Sequence, residues 1–172
     1  MANKIIIFSG KQYSGKDTAA KIMLDRLPNF RRCAIGDIIK FAYGETKGLT
    51  YKEIEDNKSK YRADLIELGN WGREQHPDYW LHKIIEQEGN IIVTDVRVPH
   101  EYDVFKNAGA IAIRVEASRE VRSMRGILIG EEDITEIGLD NIKDWDFVID
   151  NNSDYHSLKL QVENIVNSIL LR

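Results

Sequence analysis

The chain has 172 residues, of which 42% are hydrophobic and 30% charged, and its formal net charge is −4. This length and composition predict one compact domain and exclude a disordered chain. The acidic balance argues against broad nucleic-acid binding, and the apolar runs are too short to span a bilayer. The N-terminal residues do not have the pattern of a signal peptide. With Cys33 as the single cysteine, we expect a cytoplasmic protein that binds neither membranes nor nucleic acid.

Short apolar runs alternate along the chain with helical patterns. Strands are predicted at Lys4–Phe8, Arg32–Ile35, Ile91–Asp95, Ala110–Val115 and Phe147–Asp150. The first of them is a continuous isoleucine-rich run, which is typical of a strand buried on both faces of a parallel sheet. Alternation of strands with helices predicts an α/β fold in which helices cover both faces of a mostly parallel sheet.

Capping and breaking residues place the helices between these strands. Helices are predicted over Lys16–Leu27, from Asp37, from Thr50, over Lys60–Leu68, from Asp78, from Pro99, and along the apolar stripe from Leu158 to Ile169. Asp37 is expected to cap its helix, Thr50 to open a capping box, and Gly69 to end the helix before it. Two charged segments, Glu45–Asn70 and Ser118–Asp144, are the parts of the chain that fit this pattern of strands and helices least clearly.

The sequence GKQYSGKDT at residues 10–18 is the most specific pattern in the chain. It lies between a predicted strand and a predicted helix, which is the context of a phosphate-binding loop; the alternative is a glycine-rich turn with an incidental lysine. Backbone N–H groups of such a loop converge on an anion, and Lys16 would reach the β- and γ-phosphates. The loop residues expected to bind ATP are Gly10, Lys11, Ser14, Gly15, Lys16, Asp17 and Thr18.

A metal site is predicted beside this loop. The usual loop has Ser or Thr after the lysine to contact Mg²⁺, and here Asp17 takes that position. A carboxylate can hold Mg²⁺ directly or through water. Asp95, at the end of the third predicted strand, is the natural second carboxylate for the metal or for orienting the acceptor.

Phosphoryl transfer depends on electrostatic positioning, and a phosphate acceptor would bring a second anion to the site. An acidic protein must concentrate cations locally to bind both anions. The candidate cations at the ends of elements are Lys40, Arg62, Arg73 and Arg97. Arg97 follows the third predicted strand, where open α/β sheets bind ligands, and it is expected to be catalytic together with Lys16 and Asp95.

Three arginines, Arg119, Arg122 and Arg125, recur every third residue and so share roughly one face of a helix. On one interpretation this face closes over the phosphates as a lid, with Arg122 catalytic and Arg119 on ATP. On the other it is a solvated helix whose arginines pair with neighbouring acids.

Other polar and aromatic residues leave alternatives open. Asn151 and Asn152 follow the last predicted strand, where they could read the edge of an adenine or form a turn. The aromatic residues Trp71, Tyr79 and Trp80 could belong to the core, to a base-stacking platform or to an interface, so a monomer and a homodimer are both compatible with the sequence.

Several motifs together resemble a known group of small P-loop kinases. The segments GKQYSGKDTAA, LGNWGREQHPDYW and IIVTDVRVPHEYD look like those of bacteriophage deoxynucleoside monophosphate kinases. The SGKD form of the loop and the stretch EIGLDNIKDWDFVIDN are also similar to animal-type phosphomevalonate kinase. The likeness covers nearly the full chain in matching order. It implies the nucleoside monophosphate kinase fold, with five parallel strands in the order 2-3-1-4-5, an acceptor-binding segment at about 37–73 and a lid at about 118–140.

The resemblance also implies roles for individual residues. Lys16, Asp17 and Thr18 would be the ATP and Mg²⁺ residues. The acceptor would be bound by Asp37, Lys40, Arg62, Arg73 and Arg97. The phosphomevalonate kinase pattern has two adjacent arginines after the third strand, whereas here Val98 follows Arg97. That departure favours a nucleotide acceptor.

The expected function is therefore an Mg²⁺·ATP-dependent kinase that phosphorylates a small phosphomonoester, with a deoxynucleoside 5′-monophosphate as the leading acceptor. Phosphomevalonate is the first alternative. A nucleotide-binding switch without turnover is the second. The segment Asn57–Lys60 is the nearest approach to a guanine-selecting motif, and it lacks the aspartate of that motif.

Overall fold

A computed structural model describes residues 4–171 of the chain. It contains a five-stranded parallel sheet in the order β2-β3-β1-β4-β5, flanked by helices. The strands are β1 (Ile5–Ser9), β2 (Phe30–Cys33), β3 (Asn90–Val93), β4 (Ile111–Glu116) and β5 (Phe147–Asp150). The helices are α1 (Lys16–Arg26), α2 (Ile35–Lys47), α3 (Tyr51–Asp56), α4 (Lys58–Gln75), α5 (Tyr79–Ile85), α6 (Pro99–Asn107), α7 (Arg119–Arg125), α8 (Ile134–Ile137) and α9 (Tyr155–Leu170). The expected α/β class and strand order are confirmed.

The described residues divide into two compact units. The first consists of the chain up to Arg32 and from Glu88 onward, and it contains β1, β3, β4 and β5 with α1 and α6–α9. The second is Cys33–Gln87, which contains α2–α5. Among the described residues, no helix combines the length and the apolar composition that crossing a membrane requires.

The core of the first unit lies around the central strand. All five residues of β1 are buried, as a strand with neighbours on both edges and helices on its faces requires. Helices α1 and α9 contribute buried apolar residues to the same cluster. The buried residues of α9 are Leu158, Val162, Ile165, Val166 and Ile169, which is the stripe predicted from the sequence. The shared cluster packs α1 and α9 against the sheet.

The prediction that a helix ends at Gly69 is wrong, because α4 continues to Gln75. Trp80 of α5 packs against α4 at this point, and its Nε1 donates a hydrogen bond to the Gly69 carbonyl at 3.0 Å. A Cβ on Gly72 would lie 2.4 Å from the same nitrogen. Gly72 therefore lets the indole approach the α4 backbone. Trp80, only 3% exposed, is a core residue.

The other boundaries differ by small shifts. The second strand is Phe30–Cys33 rather than Arg32–Ile35, and α2 begins at Ile35. Asp37 is therefore not the N-cap, which is Ala34, but lies in the first turn of α2, where a carboxylate faces the positive end of the helix dipole. The capping box at Thr50 and the Pro99 start are confirmed.

The packing of Trp80 on α4 leads to a stability prediction. We expect Gly72→Ala to lower the free energy of unfolding by about 1–3 kcal/mol, the usual cost of overpacking a core, in urea denaturation. Gly36→Ala in α2 is the matched control, since nothing lies within 4 Å of its Cβ. It should leave stability unchanged or slightly raised. Equal stability of the two variants would contradict the contact.

Candidate active site

The loop between β1 and α1 folds tightly at its glycines. Gly15, the N-cap of α1, has φ +96°, and Tyr13 also lies in the left-handed region at φ 57°. A Cβ on Gly15 would lie 2.1 Å from Asn151 Nδ2, and one on Gly10 would lie 2.6 Å from the Val115 carbonyl oxygen. Glycine is required at position 15 by its conformation and at both positions by close contacts.

Two side chains donate hydrogen bonds to backbone carbonyl groups of this loop. Asn151 Nδ2 donates to the Ser14 carbonyl at 2.7 Å. Arg125 donates through Nη1 to the Tyr13 carbonyl at 3.2 Å, and through Nη2 to the Asn151 carbonyl at 2.8 Å. Carbonyl and N–H groups of one peptide unit point in opposite directions. Holding the Ser14 carbonyl in this way turns the Gly15 N–H to the other side of the loop.

A pocket of about 460 Å³ lies over the loop. Its lining residues are Gln12, Tyr13, Gly15, Lys16, Asp17, Thr18 and Arg125. The Lys16 side chain is 12% exposed, and its Nζ lies 3.6 Å from Asp17 Oδ2. Ser14 Oγ is buried without a hydrogen-bond partner. An ammonium, a helix N-terminus and a glycine-rich loop form the donor set of a phosphate site, so these residues fit a nucleotide phosphate chain.

The two predicted metal carboxylates lie in different surroundings. Asp17 lines the pocket, and its side chain is 77% exposed. Asp95 follows the end of β3 and is not among the residues that line this pocket. Within residues 4–171, no three His, Cys, Asp or Glu side chains come together as a possible metal site. Mg²⁺ commonly uses one or two protein carboxylates together with substrate phosphates and water, a donor set to which Asp17 is suited.

The three arginines of α7 have separate contacts. Arg119 pairs with Glu131, with 2.8 Å between Nη2 and Oε1, and this hydrogen bond holds the pKa of Glu131 below its usual value. Arg122 is buried, and its Nη1 lies 3.4 Å from the Gln12 carbonyl oxygen. Arg125 reaches the loop carbonyls already described. The helix is therefore not a uniformly solvated face, because two of its three arginines contact the phosphate loop.

Sequence reasoning missed a group of contacts between the loop and residues 126–140. The Gln12 side chain donates to the Ile129 carbonyl at 2.6 Å and accepts from the Ile129 N–H at 3.2 Å. The Gln12 backbone N–H donates to Glu136 Oε2 at 2.9 Å. Lys11 Nζ donates to Asp140 Oδ2 at 2.7 Å. We call residues 126–140 the strap segment, because these contacts fasten it to the start of the loop.

Asp140 also contacts the sheet. Its Oδ1 accepts from Arg114 Nη2 at 3.0 Å, and Arg114 Nη1 donates to Ser9 Oγ at the end of β1, also at 3.0 Å. Arg114 is 6% exposed. This buried guanidinium links the end of β1 to the strap segment. Its position inside β4 gave no indication of that role, since no local pattern distinguishes it from a strand residue facing solvent.

Arg97 lies just after β3, as predicted. Its backbone N–H donates to Glu101 Oε2 at 2.8 Å, which fixes the chain at the start of α6. Its Nη1 is 3.8 Å from Glu136 Oε1, and its side chain is 43% exposed. The guanidinium thus has a carboxylate on one side and solvent on the other.

Four of the predicted acceptor residues belong to the second unit. Asp37 and Lys40 lie on one turn of α2, with 3.4 Å between Oδ1 and Nζ, and Tyr51 also donates to Asp37 at 2.9 Å. Burial lowers the pKa of Lys40, but the hydrogen bond to Glu55 and the neighbouring Tyr51 and Asp37 raise it above the usual value. Lys40 is therefore a half-buried cation that stays charged.

The other two, Arg62 and Arg73, are exposed residues of α4. Their separation along the sequence corresponds to three helical turns, which puts them on the same face about 16 Å apart. Arg73 Nη1 donates to Asn70 Oδ1 at 3.1 Å. The structure thus brings Asp37 and Lys40 into contact and places the two arginines along one helix face.

The loop geometry predicts a selective effect on nucleotide binding. We expect Gly15→Ala to weaken ATP binding by more than about tenfold in calorimetric titration, because the substitution adds both backbone strain and a clash with Asn151. Gly109→Ala is the matched control, with φ +82° but nothing within 4 Å of its Cβ. It should cost stability and leave ATP affinity unchanged. Similar ATP affinities of the two variants would contradict a ligand site at this loop.

Solved structures with the same fold include several small-molecule kinases. Shikimate kinase from Aquifex aeolicus superposes with a TM-score of 0.54 at 17% identity, covering 96% of each chain. Shikimate kinase from Acinetobacter baumannii in complex with shikimate gives 0.57 at 14% identity, covering 98% of this chain and 94% of that one. A gluconokinase from Sinorhizobium meliloti gives 0.52 at 11% identity, covering 99% and 97%. At such identities these likenesses establish the fold alone.

Two family models match the sequence itself, each over more than half of the chain. The family described as phosphomevalonate kinase matches residues 8–110, which include the phosphate loop and Arg97. The family described as deoxynucleotide monophosphate kinase matches residues 63–162, which include Arg97, α7 and the strap segment. Together with the fold and the loop geometry, these matches identify the chain as a P-loop kinase, a phosphotransferase that belongs to the phosphomevalonate kinase and deoxynucleotide monophosphate kinase families.

Proposed function

We propose that the protein transfers the γ-phosphate of ATP to a small phosphomonoester, with a deoxynucleoside 5′-monophosphate as the preferred acceptor. The observation that carries this proposal is the pocket over residues 10–18, where the largely buried Lys16 lies at the N-terminus of α1. Such a site binds a chain of phosphates through backbone N–H groups and a lysine. Thr18 also lines this pocket, and we assign Lys11, Ser14 and Arg119 to the same nucleotide.

Charge stabilisation rather than proton transfer is the proposed basis of catalysis. An ionised phosphate acceptor is already a nucleophile, so no strong general base is required. Lys16 and Arg97 would stabilise the charge that spreads over the transferred phosphoryl group, and Arg122 would support them from the lid. Asp17 and Asp95 would hold Mg²⁺, which neutralises phosphate charge when it is bound.

A phosphate-bearing acceptor is supported by the cations of the second unit. Lys40 stays charged although it is half-buried, which suits recognition of an anionic acceptor more than recognition of a neutral sugar. Arg62 and Arg73 add two exposed guanidinium groups on one helix face. The names of both matched families also describe acceptors that already carry a phosphate. We therefore assign Asp37, Lys40, Arg62 and Arg73 to the acceptor.

The choice between nucleotide and phosphomevalonate depends on the segment after β3. Here Val98 follows Arg97, where the phosphomevalonate kinase pattern has a second arginine. Fewer cations at this point suit an acceptor that is recognised partly through an uncharged base. Phosphomevalonate is the second candidate, because its family model matches residues 8–110, which include both the loop and the predicted acceptor segment.

The role of Lys16 can be tested by substitution. We expect Lys16→Ala to reduce ADP release in the presence of acceptor by about a thousandfold or more, since it removes the cation closest to the transferred group. The melting temperature and circular dichroism should stay near those of the native protein. Lys159→Ala on α9 is the matched control and should keep full activity. Undiminished turnover of Lys16→Ala at saturating ATP would refute the assignment.

The acceptor can be identified by measuring ADP release with a panel of compounds. We expect one or more of the four deoxynucleoside 5′-monophosphates to stimulate ADP release, with phosphomevalonate, shikimate and gluconate inactive. Stimulation by phosphomevalonate alone would replace the nucleotide acceptor with the second candidate. Stimulation by shikimate or gluconate alone would remove the phosphate acceptor altogether. Tight ATP binding with no transfer to any of these compounds would favour a nucleotide-binding switch.

A further inference from the structure

Glu136 is a buried carboxylate to which the proposed function assigns no role. Its side chain is 4% exposed, although it lies on the short helix α8 in a segment that is mostly exposed. A carboxylate is tolerated at such burial only when its charge is paired and its oxygens accept hydrogen bonds. The partners of Glu136 therefore indicate why it is there.

The two oxygens of Glu136 face two different parts of the candidate active site. Oε2 accepts a hydrogen bond of 2.9 Å from the Gln12 backbone N–H in the phosphate loop. Oε1 lies 3.8 Å from Nη1 of Arg97, the residue that follows β3. One carboxylate thus connects the loop proposed to hold the ATP phosphates with the guanidinium proposed to stabilise the transferred group.

The backbone around Glu136 is held on both sides. Asp133 caps α8, with Oδ1 accepting from the Thr135 N–H at 2.8 Å. Gly138 packs so closely on the chain after β3 that a Cβ there would lie 3.3 Å from the Arg97 carbonyl oxygen. The Gln12–Ile129 and Lys11–Asp140 contacts fasten the strap segment further. Glu136 is therefore presented to Arg97 from a fixed position.

We propose that Glu136 is a positioning residue for phosphoryl transfer. Its carboxylate holds the Arg97 guanidinium at a fixed position relative to the phosphate loop. The inference rests on the proposed function, because it takes Arg97 to contact the transferred group. The Arg97 side chain is long and 43% exposed, so its orientation is not fixed by packing. A guanidinium that is oriented before the substrate arrives stabilises the transition state better than one that must reorganise.

The test compares Glu136→Gln with Glu132→Gln, using ATP and whichever acceptor gives the highest ADP release. Glutamine keeps the size of the side chain and an oxygen for the Gln12 N–H, but it removes the charge that attracts Arg97. We expect Glu136→Gln to lower kcat by about 10- to 100-fold, the effect of misplacing a catalytic group, with KM for ATP within about twofold. Glu132 is an exposed neighbour, and its substitution should change neither value.

Double substitution separates positioning from a structural role. If Glu136 acts through Arg97, Glu136→Gln should lower kcat in the native background and have no further effect in an Arg97→Ala background. An equal loss in both backgrounds would overturn the inference, and so would an unchanged kcat in Glu136→Gln or in Arg97→Ala. If Glu136→Gln does not fold, Glu136→Asp takes its place. That variant keeps the charge but shortens the side chain, and the same two-background comparison applies.

Failure of this inference is distinguishable from failure of the proposed function. The proposed function fails if Lys16→Ala remains active or if no phosphomonoester stimulates ADP release. The inference fails while the proposed function stands if the protein phosphorylates a monophosphate, Lys16→Ala is inactive, and the Glu136 and Arg97 effects are additive.

Discussion

Asn151 and Arg125 hold the carbonyl groups of Tyr13 and Ser14, and the proposed chemistry depends on these contacts. A loop of this length has no regular secondary structure to fix it, so its backbone N–H groups face a ligand only if their carbonyl partners are bound elsewhere. Asn151 is 6% exposed and follows β5, so the last strand of the sheet supports the loop that follows the first. The parallel order of β1, β4 and β5 brings these elements together at one edge, where their carboxyl ends meet.

The same loop is fastened at its beginning by the strap segment. Lys11 and Gln12 use a side-chain amide, a backbone N–H and an ammonium to contact Ile129, Glu136 and Asp140. A displacement of the strap segment would therefore change the position of both the loop and the Arg97 side chain, since Glu136 contacts both. Within residues 118–140, which the sequence predicts to be a lid, α7 contacts loop carbonyls and α8 contains the buried carboxylate of Glu136. Whether this segment moves during the reaction stays a prediction.

Sequence patterns predicted most strands and helices because each pattern lies within a single element. The continuous apolar run of β1, the glycines of the loop and the stripe of α9 each lie within one element, so periodicity and spacing were enough to find them. The same reasoning gave a wrong end for α4, because the close contact that Gly72 permits is made by Trp80, which lies outside that helix. Glu136 was missed for a related reason. Its partner Gln12 is 124 positions away, and nothing in the sequence TEIGLD distinguishes a buried carboxylate from a solvated one.

The central claim is that residues 10–18 bind the phosphates of ATP, and a crystal structure with Mg²⁺ and a non-hydrolysable ATP analogue tests it most directly. We expect the β- and γ-phosphate oxygens to lie about 3 Å from Lys16 Nζ and from the backbone N–H groups at the start of α1. Asn151 and Arg125 should keep their contacts with the loop carbonyls. A triphosphate bound away from the loop, or Lys16 Nζ directed out of the pocket in that complex, would contradict the claim.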